Sequence, residues 1–302
     1  MSQGNKQQRV ARLRAQEAIA ERRRAEARKR KRLVIAGSAV AAIVLIALTA
    51  VIVKVATEGP KKSGAAATAA SNDVVAKVTG VPAATLDKIG KGSITSTPKA
   101  ITGQPVLTAD GKPLVVYMGA EYCPFCAAER WAMVVALSRF GTFSNLGQTA
   151  SSPNDTFPNT PTLTFHGSTY TSKYLSFQGV EMQSNEIEGN AYKTLDTPTA
   201  QQQELINKFD APPYVDKNSS GSIPFIDFAN QAMVSGSSYS PQLFAGKTQQ
   251  QVADALQDPN SDIAKAVGGA ANAFTAQLCK LTNNQPADVC SSAAAQAYSG
   301  QS

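Results

Sequence analysis

The stretch PLVVYMGAEYCPFCAAERWAMVVAL, Pro113–Leu137, decides how this chain reads. Leu114–Met118 is a continuous apolar run bounded by Pro113 and Gly119, the pattern of a central strand buried on both faces. From Pro124 to Phe140, alanine, leucine and larger apolar residues recur at helical spacing until Gly141 closes the run. Between strand and helix stand Cys123 and Cys126, so a Cys-x-x-Cys pair is delivered to the first turn of a helix.

That placement has chemical consequences. Pro124 suits the first helical position, where its missing N–H would have had no partner. The unpaired amides and the positive end of the helix dipole favour a thiolate on Cys123. Cys126, one turn inside on the same side and less exposed, is placed to attack a mixed disulfide. Phe125 offers an apolar surface beside the sulfur but no charge, so the direction of electron flow cannot be read from the dipeptide. A Cys-x-x-Cys pair also serves zinc, which normally needs a second ligand pair. Here only Cys279 and Cys290 are left, eleven residues apart, with the single histidine His166, so no metal site is expected. A static disulfide is the competing reading in an oxidising compartment. Copper delivery lacks the histidine or methionine that usually completes such a site.

Outward from the pair, strands and helices alternate. Asp110-Gly111 lies between apolar runs and signals a hairpin into the Leu114 strand. VPAATLDKIGKGS predicts a short helix closed by Gly90. TLTFHGS and KYLSFQGVEM read as strands, TPTAQQQELINKF as a helix capped by threonine, and SSGSIPFIDFAN with QAMVSGSSY as a second hairpin. Residues 247–302 read as a mostly helical C-terminal extension. The fold class is therefore α/β or α+β. Trp131 and Tyr122 read as packing residues and His166 as an ordinary satisfied or exposed histidine. Glu121 and Glu129 are not assigned a role.

The chain has 302 residues and a net charge of +7, but that charge is local. Residues 1–32 hold 12 Lys/Arg against 3 Glu, leaving residues 33–302 with 17 basic and 19 acidic groups, which argues against a nucleic-acid-binding body. Leu33–Val53 carries no charged residue and matches the roughly 20 residues a membrane-spanning helix needs. A cleaved signal peptide would have a shorter leader and apolar region, so a retained anchor is expected. The positive flank then puts the N-terminus in the cytoplasm and the rest outside. The basic tail reads first as a topology signal solvated at the membrane surface, with binding to anionic lipid head groups or to nucleic acid as the functional alternative. Residues 54–73, including TEGPKKSGAAATAASND (Thr57–Asp73), read as a flexible tether, with a folded region from residue 74 to 302.

VVYMGAEYCPFC resembles the thioredoxin superfamily, and its Cys-Pro-aromatic-Cys form is similar to glutaredoxins and periplasmic disulfide oxidoreductases. The basic tail, single span, GAEYCPFCAAERWA and late GSIPFIDFAN together resemble a prokaryotic family of membrane-anchored thioredoxin-like proteins catalogued as domain of unknown function 929, over roughly Val74 to Leu281. The resemblance implies a thioredoxin-like fold with a cis-proline opposite the cysteines, at Ile223-Pro224, whose neighbours pair with an extended substrate strand. Its distance from Cys126 implies an insertion, placed at residues 144–213. The expected activity is thiol-disulfide exchange on cysteines of exported proteins: Cys123 as nucleophile, Cys126 as resolving thiol, Pro224 facing substrate, and Pro124, Phe125 and Ile223 contacting it. No diffusible cofactor is expected. A quinone-linked membrane oxidase or a dithiol reductant would recharge the pair. Cys279 and Cys290 are expected to form a structural disulfide, with a second redox pair as the alternative. A non-catalytic binding module of the same fold is the rival to the enzyme.

Overall fold

The computed structural model of the protein describes residues 61–299. Strand β1 (Thr68–Ala69) leads into helices α1 (Asn72–Thr79) and α2 (Ala83–Ile89). The short strands β2 (Lys99–Ala100) and β3 (Thr108–Ala109) precede β4 (Lys112–Gly119), which hands the chain to α3 (Pro124–Ser138). Next come β5 (Gly141–Ser144), β6 (Gly147–Ala150), β7 (Pro161–Thr164) and β8 (Thr169–Ser172). They are followed by β9 (Ser176–Glu181), β10 (Gln183–Glu188), β11 (Ala191–Thr194) and helix α4 (Ala200–Phe209). The hairpin β12 (Phe225–Phe228) and β13 (Ala232–Ser235) leads to α5 (Gln249–Ala255), α6 (Asp262–Leu281), α7 (Ala287–Cys290) and α8 (Ala293–Gln296).

The architecture is mixed α/β around a central sheet ordered β9-β4-β12-β13-β2, with β3 on the first residues of β4. β9 runs parallel to β4, from Leu114↔Ser176 to Gly119↔Glu181, whereas β12 runs antiparallel, from Phe225↔Met118 to Phe228↔Val115. β4 is buried on both faces, which is why its sequence is continuous rather than alternating. Leu114, Val116 and Met118 pack with Leu205, Ile206 and Phe209 of α4. Val115 and Tyr117, with Ile226 and Phe228 of β12, join the core built with α3 and α6, where Trp131 and Phe274 are fully buried. Helix α3 is buried on nearly every side, as an apolar helix between a sheet and other helices must be. At the β3–β4 hairpin Asp110 and Gly111 both have positive φ, 52° and 72°, as a tight two-residue hairpin turn requires.

Three expectations need correction. Residues 61–73 are not a free tether. The Lys62 amide donates to Asn154 Oδ1 (3.0 Å), that of Gly64 to the Asn185 carbonyl (3.0 Å), and Thr68–Ala69 pairs with β6. Small residues lack an apolar period, yet their backbones can still add to a sheet edge. Residues 144–213 are not one insertion, because β9 is a strand of the central sheet and α4 covers its face. The other strands of that segment pair outside the central sheet, β5 with β8, β6 with β7 and β10 with β11. Nor is 247–302 an appendage: α6 carries a large part of the core. Among the described residues no helix is long and apolar enough to cross a membrane. The basic tail, the span Leu33–Val53 and residues 54–60 of the tether lie outside the described residues.

Candidate functional site

β4 ends at Gly119, where a Cβ would run into the Tyr117 ring, and a turn through Ala120–Tyr122 then brings Cys123 to the N-cap of α3. Cys123 has extended backbone (φ −79°, ψ 122°), its amide donates to the Ala120 carbonyl (3.2 Å), and Pro124 occupies the first helical position. Its sulfur takes the part a serine or aspartate oxygen usually plays at a cap: Sγ accepts the Cys126 backbone N–H at 3.3 Å. Cys126 is fully buried one turn inside, and the two sulfurs are unbonded.

The two thiols sit in opposite environments. The hydrogen bond from the Cys126 side chain pulls the Cys123 pKa down. Burial opposes it, while the amides of Cys126 and Phe125 and the Arg130 charge assist. Burial pushes the Cys126 thiol well up, and the neighbouring Cys123 sulfur pushes it further. One sulfur is thus favoured as an anion and the other as a protonated donor.

β12 supplies the opposite wall. Its pairing with the end of β4 brings the preceding residues alongside the cysteine turn, and the Ile223–Pro224 peptide bond is cis. The Ile223 carbonyl oxygen is 3.7 Å from Cys123 Sγ, so residues a hundred positions apart meet at one point. The backbone N–H of Ile223 has no hydrogen-bond partner among the described residues. The rim is aromatic. Phe125 is 42% exposed and meets Phe157 edge to face at 5.8 Å. Tyr122 stacks on Tyr192 at 4.3 Å, and the Ser152 amide donates to the Tyr122 carbonyl (2.9 Å), fastening the loop that carries Phe157. Cys123 itself keeps only 6% of its surface exposed within this rim.

Below the pair lie charges that sequence reading missed. Arg130 and Glu181 are both fully buried. Arg130 Nε and one Nη reach the two Glu181 carboxylate oxygens at 2.7 and 2.6 Å, and the same Nη donates to the Ala120 carbonyl at 2.7 Å. Burial works against the Arg130 charge, but Glu181, Tyr117 and Cys126 together outweigh it and hold the guanidinium well above its ordinary pKa. A signal was present: Arg130 follows Cys126 by four residues, on the same helix face, in a helix whose only other charged residue is Glu129. Its partner was invisible because β9 reaches it only through the parallel pairing.

The other candidates sort by position. Glu121 and Glu129 are both buried. Glu129 faces the loop after β13, accepting from the Ser238 amide (2.9 Å) and hydroxyl (2.7 Å), and burial raises its pKa to about 7. Trp131 is core, donating Nε1–H to the Pro161 carbonyl at 3.0 Å. His166 pairs with Asp196 at 2.8 Å on an exposed surface. Cys279 and Cys290 form a disulfide joining α6 to α7, and no hydrogen bond among the described residues links it to Cys123 or Cys126. Among the described residues no group of three or more His, Cys, Asp and Glu is placed to hold a metal ion.

A family model described as "Domain of unknown function (DUF929)" matches residues 101–280, more than half of the chain, and the chain belongs to that family. No curated protein and no solved structure matches it.

Proposed function

We propose that this DUF929 protein is a thiol-disulfide oxidoreductase of thioredoxin-like fold, held at the extracytoplasmic face of a membrane by Leu33–Val53. The observation that carries the reading is the meeting of Cys123 Sγ, the Cys126 amide and the Ile223 carbonyl at the start of α3. The fold reading draws support from the strand–helix–strand unit β4-α3-β9, followed by α4 and an antiparallel hairpin entered at a cis-proline.

Cys123 thiolate attacks a substrate disulfide, forming a mixed disulfide and releasing one substrate thiolate. Cys126 then loses its proton and attacks Cys123 Sγ, releasing the second. Run backwards, the same steps oxidise a substrate dithiol. The unpaired Ile223 N–H and the Ile223 carbonyl offer main-chain bonds to an extended substrate strand, and Phe125 offers apolar contact. Two electrons reside in the sulfurs, so no diffusible cofactor is needed. Substrates are cysteine-containing exported chains, and a quinone-linked membrane oxidase or a dithiol reductant renews the pair. The basic residues 1–32 hold anionic lipid rather than nucleic acid. Cys279–Cys290 is structural.

The test is Cys126→Ser. That variant should accumulate substrates on Cys123 as mixed disulfides in membranes, reversed by reductant and lost in Cys123→Ser/Cys126→Ser. No adducts would refute the reading. The near-complete burial of Cys123 favours one rival, a non-catalytic envelope binding module in which the rim stays closed. A module of that kind gives no adducts and a pair that resists reduction.

A further inference from the structure

The chemistry above needs two sulfurs and a docking edge, but not a guanidinium beneath them. Arg130 lies seven residues after Cys123 and four after Cys126, so α3 carries all three on one side. Its remaining Nη is buried without a hydrogen-bond partner among the described residues. Taking two charges out of water is costly, and well-packed apolar residues of similar volume often hold two elements together equally well. Joining α3 to β9 therefore does not account for the pair. Its location does. The guanidinium holds the Ala120 carbonyl, which also receives the Cys123 N–H, and lies 5.9 Å from the centre of the Tyr117 ring. The other ionisable groups around the sulfurs are Tyr117 from β4, Tyr122 and Glu121 from the turn, and Glu181 from β9. Arg130 is the only cation among them.

We propose that Arg130, clamped by Glu181, is a positioning residue that sets the redox poise of the pair: it fixes the cysteine turn through Ala120 and stabilises the reduced, thiolate-bearing state, making the Cys123–Cys126 disulfide an oxidant of substrate dithiols. This rests on the exchange reading and gives it a direction. A substrate thiolate attacks Cys123 Sγ, and the Cys123–Cys126 bond breaks. The electron pair goes to Cys126, which takes a proton. A second substrate thiolate then attacks the substrate sulfur of the mixed disulfide. Cys123 leaves as a thiolate beside its amides and the Arg130 charge. The substrate loses two electrons and two protons. The enzyme keeps both electrons and one proton, and the other proton goes to solvent. Stabilising the thiolate of the reduced form makes the disulfide more oxidising.

The test measures Cys123 ionisation, by thiolate absorbance and alkylation rate against pH, and the potential of the couple against glutathione, in the full chain. Arg130→Met should leave about tenfold less thiolate at a given pH and lower the potential by up to about 30 mV, the equivalent of tenfold for a two-electron couple. Glu181→Gln removes the neutralising charge and should shift both readouts the other way. Loss of packing alone cannot produce that reversal of sign. Should either single variant fail to fold, Arg130→Met/Glu181→Leu replaces the pair with neutral residues and should shift both readouts in the Arg130→Met direction. A couple that cycles normally while Arg130→Met or the double variant leaves ionisation and potential unmoved overturns this inference alone. So do single variants that shift both readouts in the same direction. A wild-type pair that never forms a reducible disulfide overturns the exchange reading, and this inference with it.

Discussion

Glu129→Gln should reverse part of the protein's pH dependence. The Glu129 carboxyl is fully buried, and burial lifts its pKa from an ordinary 4.5 to about 7. The folded state therefore holds this proton more tightly than the unfolded chain, and stability rises wherever the proton is retained. The sign is that of a raised acid: the contribution is complete below about pH 4.5 and disappears as pH climbs through about 7. At 1.36 kcal/mol per unit of pKa difference the whole effect is about 3 kcal/mol, of which roughly 2–3 kcal/mol falls between pH 5 and pH 8. Glutamine keeps one oxygen to accept the Ser238 amide, turns its NH2 toward the Ser238 hydroxyl oxygen, and cannot ionise. The assay is urea unfolding of wild type and variant at both pH values. The difference between them isolates this residue from other titrating groups such as Asp227, whose pKa burial also raises to about 7. The variant should gain roughly 2–3 kcal/mol relative to wild type on going from pH 5 to pH 8. A difference that stays constant across that range would refute the reasoning.

Two further outcomes follow from the core and the covalent clamp. Phe228→Ala empties a fully buried site against Phe274, 5.5 Å away between ring centres, and should cost about 3–5 kcal/mol in chemical denaturation. Cys279→Ser/Cys290→Ser opens a short loop between α6 and α7 and should cost roughly 2–4 kcal/mol. The thiol exchange rate of Cys123 in that variant should be unchanged; a slowed rate would point to a redox relay instead.

Local signals in the chain were legible and long-range ones were not. The apolar run Leu114–Met118, the Asp110-Gly111 turn and the Pro124 start of α3 each announce themselves within a few residues. The Thr199 cap does so too, completed by Gln202 in a reciprocal capping box. The proline at 224 was found through family likeness rather than spacing. What escaped depends on partners brought in by tertiary structure. Glu181 meets Arg130 only because β9 lies parallel to β4, and Glu129 meets Ser238 across more than a hundred residues. β1, two residues long, has no pattern of its own and is defined by the edge of β6. Buried charges are the common element: in sequence Glu121, Glu129, Arg130 and Glu181 look like surface residues, and only packing makes them interior.

The measurement closest to the centre of this account is an equilibrium redox titration of the Cys123–Cys126 couple in the wild-type protein against glutathione. Cycling dithiols such as glutaredoxins, disulfide isomerases and strong periplasmic oxidants span roughly −230 to −120 mV. The Cys123–Cys126 pair should fall in that range, toward its oxidising end. A potential below about −300 mV, where structural disulfides lie, would contradict it, as would a pair that never forms a disulfide.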